Sequence, residues 1–226
     1  MSHFFRNIQV LRSIQVAVLA AFFSLSFLCS SYAAEIGEDG LHKQPWFTST
    51  FKDIREDLEE AQADGKRLAI ILEQRGCIYC KRLHETVFSD AVVADYIRAN
   101  YMVVQYNMFG DEEVTDIDGE TLTEKTAARK WRLNYTPTIM FFDNEIADDS
   151  QDAASIAVSV LPGAFDKWTT LNMFKWVVDK GYESQEPFQK YHARLPEVAN
   201  KSRKYREGEE KDNDITKSQE PITKPK

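Results

Sequence analysis

A strand-like apolar run leading straight into two closely spaced cysteines constrains this chain more than any other feature. Leu68-Ala69-Ile70-Ile71-Leu72 is followed by Cys77-Ile78-Tyr79-Cys80, and Lys81 to Phe88 continue from it as a helix would. Two thiols in a CxxC spacing can open and close a disulfide with almost no rearrangement of the chain. The order strand, CxxC, helix is that of a redox motif rather than a zinc ribbon.

The two ends of the chain read differently from its middle. Arg6 and Arg12 precede an apolar run, Val16–Leu28, too short to be taken as a bilayer span, and Ser31 and Ala33 supply the small residues that a signal peptidase reads. Residues 1–33 are therefore expected to be a cleaved secretory signal, with an uncleaved anchor as the rival reading. Leu28 stands ahead of Cys29 where a lipoprotein signal wants a small residue, so lipidation is not expected. From Lys201 to Lys226, Lys, Glu, Asp, Ser and Pro dominate, a composition unable to bury enough apolar surface to order itself. This divides the chain into 1–33 as signal, 34–185 as one globular domain, and 186–226 as a helical and then disordered charged tail. The whole chain is 43% hydrophobic, enough for an ordinary core.

Cleavage would remove Cys29 and leave Cys77 and Cys80 as the mature thiols. An exported chain with no other cysteines has no disulfide framework, and the pair is expected to be used rather than to serve as a static local staple, which is the alternative. Loss of Arg6 and Arg12 would make the chain two charges more acidic than its formal −8. That balance argues against nucleic acid or an anionic membrane surface as partner.

Periodicity outlines the elements. Phe51–Ala63 places Phe51, Ile54, Leu58 and Ala61 at helical spacing and stops at Asp64-Gly65. A strand over Leu68–Leu72 leads to the CxxC helix, which runs to about Val87. Ser89-Asp90 then caps a helix over Ala91–Asn100, and Met102–Tyr106 is the next strand. A helix over Thr123–Leu133, strands over Thr138–Phe142 and Ile156–Leu161, and an amphipathic helix over Asp166–Lys180 follow, the last ended by Gly181. Gln189–Ala199 is expected to add one more helix, packed through Phe188, Tyr191 and Leu195. Between them, Gly110–Glu124 is an acidic insertion. Aligning Gly119 to the turn glycine of a calcium loop puts Val114 and Lys125 at ligand positions, so calcium is rejected and Asp118-Gly119 reads as a hairpin turn.

This order resembles the thioredoxin fold, an α/β fold with a central mixed sheet flanked by helices. Asn134-Tyr135-Thr136-Pro137-Thr138 lies just before an apolar strand, where thioredoxin-like proteins carry a cis-proline facing the CxxC pair. The resemblance covers about Trp46 to Gly181. It implies that Thr136 and Pro137 pair with an extended substrate segment, that Leu161-Pro162-Gly163 forms a further wall of the groove through Gly163, and that Ile78 and Tyr79 flank it and tune the potential. Cys77, at a helix N-terminus where unpaired N–H groups favour a thiolate, would be the nucleophile. Cys80 would resolve the mixed disulfide. No cofactor beyond the Cys77–Cys80 disulfide, and no metal, is expected.

Three departures qualify the resemblance. The buried aspartate that thioredoxins use as proton acceptor falls on Ile71 and its lysine partner near Gln105, and Gly76 stands where a Trp is usual. Glu73, on the same strand face as Ile71, is the candidate general base; a solvated carboxylate at a strand end is the competing view. His84 follows Cys80 by four residues, which keeps a Cys77, Cys80, His84 metal-delivery site open as an alternative to a helix-surface histidine. Gly-Cys-x-Tyr-Cys-Lys-Arg-Leu-His, Phe88-Ser89-Asp90, the Asp118-Gly119 hairpin and Tyr-Thr-Pro-Thr-Ile together resemble periplasmic thioredoxin-related proteins of the SoxW type. That implies a monomeric periplasmic reductant of cysteine-bearing exported proteins, fed with electrons by a membrane thiol–disulfide transporter. A disulfide oxidase or isomerase, and a non-enzymatic client-binding module, are the alternatives.

Overall fold

The structure, a computed structural model, describes residues 35–145 and 150–200. The expected signal over 1–33 and the expected tail from Lys201 onward lie outside the described residues. No described helix is long and apolar enough to cross a membrane.

A short antiparallel ribbon, β1 (Glu35–Ile36) with β2 (His42–Lys43), comes first, followed by α1 (Ile54–Ala63). The helix starts three residues later than periodicity suggests. Asp53 caps it by accepting the N–H groups of Arg55 and Glu56, and Lys52 turns the chain at φ +58. Phe51 therefore falls outside the helix and is 94% exposed, although its spacing matches the buried face.

β3 (Arg67–Glu73) is buried along its whole length. It leads into α2 (Ile78–Leu83), which continues as one wide π-turn over His84–Phe88, and then into α3 (Ala91–Asn100), capped by Asp90 as expected. β4 (Tyr101–Asn107) returns parallel to β3, with Arg67 opposite Tyr101 and Glu73 opposite Asn107. A parallel return needs a crossover of this kind, and α2 with α3 supply it. β5 (Glu113–Thr115) and β6 (Thr121–Thr123) form the hairpin expected at Asp118-Gly119, with Gly119 at φ +83, and α4 (Glu124–Lys130) follows under a Thr123–Thr126 capping box.

β7 (Thr138–Phe141) runs antiparallel to β3 on its other side. α5 (Ala153–Ile156) is a single helical turn where a strand was expected to begin, so β8 covers only Ser159–Pro162, antiparallel to β7. Asp152 explains the shift, because its side chain caps that turn at Ser155 N. α6 (Lys167–Val178) and α7 (Phe188–Arg194) follow, and the chain is helical again over 196–200. The sheet order is β4-β3-β7-β8, a mixed sheet flanked by helices and the thioredoxin-like fold.

α6 ends at Val178 rather than at Gly181 as expected, and Gly181 opens the 3-10 turn that follows. Lys180 takes the left-handed conformation at φ 53, while a Cβ on Gly181 would sit 2.1 Å from Trp176 Nε1. The glycine is there for close approach.

The alternation of β3 divides the core. Leu68, Ile70 and Leu72 face α1, α4 and the hairpin; Ala69 and Ile71 face α2, α3 and α6, where Leu83, Phe88 and Phe174 close over them. Each large aliphatic side chain so buried contributes about 1.5–3 kcal/mol. Glu73 and Gln105 have the parity of Ile71. Both therefore point to the side of the sheet covered by the CxxC helix.

Candidate active site

Gly76 turns the chain from β3 into α2 at φ +74, with nothing within 4 Å of where a Cβ would stand. This left-handed position accounts for a glycine where a Trp was looked for. Cys77 is the N-cap of α2 in extended conformation, and its Sγ accepts the N–H of Cys80 at 3.0 Å. Cys77 and Cys80 form a disulfide with their Cα atoms 5.2 Å apart. Cys80 is the more buried, at 1% against 7% for Cys77. Ile78 and Tyr79, between them, are exposed.

The Thr136–Pro137 bond is cis. It brings Thr136 against the disulfide: Thr136 Oγ1 donates to Cys77 Sγ at 3.5 Å, and the Thr136 carbonyl oxygen lies 3.6 Å from the same sulfur. On the other side, Gly163 N–H donates to Pro137 O at 2.7 Å, with Gly163 at φ +104. The Thr136–Pro137 segment thus touches Cys77 and is itself bonded to the segment that carries Gly163. Tyr135 and Phe165 add exposed aromatic surface at their rim. Sequence reading gave neither a role, since nothing in a lone aromatic marks it as exposed.

His84 is not a surface residue. It is fully buried at the start of the π-turn, one turn beyond Cys80, whose carbonyl oxygen accepts its N–H. Its Nε2 lies 3.1 Å from both carboxylate oxygens of Glu73, and its Nδ1 lies 3.2 Å from Gln44 Nε2. Both ring nitrogens are engaged away from the sulfurs, which removes the third ligand from the Cys77, Cys80, His84 metal reading. Among the described residues no cluster of three or more His, Cys, Asp or Glu side chains is placed to hold a metal.

Glu73 is not a solvated strand end either. It is fully buried and accepts from His84 and from Gln105 Nε2. A buried carboxylate is tolerable when its oxygens are hydrogen-bonded in this way. Gln105 also donates to His42 O at 2.8 Å and accepts from Lys43 Nζ at 2.6 Å, and Lys43 is paired with Asp39. Phe47 and Phe88 meet the His84 ring edge-on at 5.5 and 5.4 Å, and the His42 ring lies 5.6 Å away. Burial holds the His42 imidazole below its usual pKa. The partners Gln44 and His42 come from the segment ahead of α1, which no sequence motif marks.

A family model described as "Thioredoxin-like domain" matches residues 54–146. No curated protein matches the chain. Similar solved structures include a thioredoxin-fold protein from Helicobacter pylori, 18% identical over 57% of this chain and 81% of that one, with a TM-score of 0.43. A thioredoxin from Thermus thermophilus is 23% identical over 57% of this chain and 86% of its own, also with a TM-score of 0.43. Both likenesses are distant and add nothing to the account of the site. The matched residues include β3, the Cys77–Cys80 disulfide and the cis Thr136–Pro137 bond, within a sheet of thioredoxin-like order.

Proposed function

We propose that the protein is a thiol–disulfide oxidoreductase acting outside the cytoplasm, and that it reduces disulfides in exported proteins. The observation that carries this reading is the contact between Cys77 Sγ and Thr136 beside the cis Pro137. A nucleophilic sulfur is thereby set next to backbone that can hold an extended substrate strand, with Ile78, Tyr79 and Gly163 around it.

In the reduced protein the Cys77 thiolate attacks one sulfur of a substrate disulfide. The substrate S–S bond breaks, its other sulfur leaves as thiolate, and a mixed disulfide forms. Cys80 then gives its proton to Glu73 and attacks Cys77 Sγ, and the second substrate sulfur leaves and takes a proton from solvent. Two electrons have passed to the substrate and the Cys77–Cys80 disulfide is restored. In the oxidised state two donors already face Cys77 Sγ, the Cys80 N–H and the Thr136 hydroxyl, and the same donors would stabilise its thiolate. Turnover needs an external dithiol, for which a membrane thiol–disulfide transporter is the fitting class.

The signal-like residues 1–33 support export to the periplasm, and the SoxW-type motif combination supports a cysteine-bearing exported protein as substrate and a monomeric enzyme. Cys80→Ser is the test. It leaves the nucleophile and removes the resolving thiol, so it should accumulate mixed disulfides with exported proteins in intact cells, while Cys77→Ser should accumulate none. Recovery of no adduct with Cys80→Ser would sink the reductase reading, and partner retention by Cys77→Ser would favour a non-enzymatic binder.

A further inference from the structure

The Gln44 amide decides the state of His84. Gln44 is 3% exposed, and its Nε2 faces both His84 Nδ1 at 3.2 Å and the His84 carbonyl oxygen at 3.4 Å. A carbonyl oxygen can only accept, so the nitrogen of the amide must be the atom turned toward it. The flipped amide would set oxygen against oxygen. With Nε2 as donor, His84 Nδ1 accepts, and the ring proton sits on Nε2, shared between the two oxygens of Glu73. Gln44 Oε1 is left buried without a partner in this arrangement, a cost that marks the amide as held for its nitrogen. Gln105 is fixed in the same manner, since its oxygen takes Lys43 Nζ and its nitrogen is given to His42 O and Glu73.

We propose that His84 is a positioning residue for the resolving step: as the neutral Nε2–H tautomer fixed by Gln44, it holds the Glu73 carboxylate ready to take the Cys80 proton. The inference rests on the reading of Glu73 as proton acceptor. His84 and Cys80 lie on successive turns joined by a backbone hydrogen bond, so the carboxylate is tied to the helix that carries the resolving sulfur. Gln44 and Gln105 also line a cleft of about 770 Å3 that contains Lys43, Lys52 and Arg75.

The test uses the full-length reduced protein and an aromatic disulfide, 5,5′-dithiobis(2-nitrobenzoate). Its coloured thiolate is released once when Cys77 attacks and again when Cys80 resolves the mixed disulfide, so the two steps are timed separately. His84→Gln keeps an N–H donor near the position of Nε2 but loses the ring, while His84→Phe keeps the ring among Phe47 and Phe88 but loses the donor. The expected result is a second phase near the wild-type rate in His84→Gln and slowed about tenfold or more in His84→Phe, with the first phase unchanged in both.

A normal second phase in His84→Phe, or equal slowing in both variants, overturns the proposal in favour of packing. Glu73→Gln separates the two levels of the account. If it leaves the second phase unchanged, Glu73 is not the acceptor and both readings fall. If it slows that phase while His84→Phe does not, the inference about His84 alone falls. Should the His84 variants not fold, imidazole 15N shifts in the wild-type protein decide: Nε2–H supports the proposal, and Nδ1–H or imidazolium overturns it.

Discussion

Asp57 sits on the buried face of α1 with a hydrogen bond from Thr50 Oγ1 at 3.2 Å, and burial pushes its carboxyl up to about 7, with Glu60, Asp53 and Glu56 adding to the rise. The folded state therefore favours the protonated acid. Between about pH 4 and about pH 7 the unfolded chain has lost this proton while the folded chain keeps it, so rising pH draws the equilibrium toward unfolding, and the loss levels off above the folded pKa. A shift from 3.8 to about 7 corresponds to as much as about 4 kcal/mol. Asp57→Asn keeps the shape and removes the titration. Its melting temperature relative to wild type should rise from about pH 4 to about pH 7 and level off above that. A difference constant over that range would contradict the assignment. Glu73 and His84 show how residue-scale inference from sequence stops short. Strand parity places Glu73 on the correct face, but only the fold shows that the histidine four residues past Cys80 turns inward to meet it.

Two elements were readable in outline and misplaced in detail for the same reason, local side-chain bonding that a periodicity does not register. α1 begins at its Asp53 cap rather than at Phe51, and the strand expected from Ile156 begins only at Ser159 because Asp152 first caps a helical turn. Asp53→Ala should cost about 1 kcal/mol in urea unfolding. Phe51→Ser, at a 94% exposed position, should change little; a loss equal to that of Asp53→Ala would restore Phe51 to the core. The β5–β6 hairpin is joined to α4 by Lys130, which meets Asp116, Asp118 and Glu120 at 2.9, 2.6 and 2.8 Å. Burial opposes the charge, yet hydrogen bonds to Asp118, Glu120 and Asp116 raise the Lys130 pKa well above its usual value. Asp116 is buried and also takes Trp131 Nε1 and Ala153 N–H, so its carboxylate binds hairpin, helix and α5 together. Lys130→Met leaves that carboxylate without its cation and should destabilise the protein by about 1–3 kcal/mol in the same assay. An unchanged unfolding midpoint would show that the backbone and indole donors suffice.

At the scale of the whole molecule, the β4-β3-β7-β8 sheet makes one site out of segments that are far apart in the chain. β3 delivers Cys77 and Glu73, the start of β7 delivers the cis Thr136–Pro137 bond, and the end of β8 delivers Gly163 against Pro137. CxxC and the Thr-Pro before a strand were legible because each is a local pattern with a fixed place in this topology. The segment over His42–Thr48 was not. Its contribution, Gln44 on His84, Trp46 and Phe47 against Phe88, and Thr48 beside β4, consists of long-range contacts without a sequence signature.

The reduction potential of the Cys77–Cys80 couple, measured by equilibration with glutathione and alkylation of the free thiols, separates a reductant from an oxidant. The account predicts a value near −220 mV or lower, on the order of the thioredoxin and glutaredoxin range, as a reductant requires. A value of roughly −120 to −180 mV would place the couple with oxidants and isomerases and contradict it.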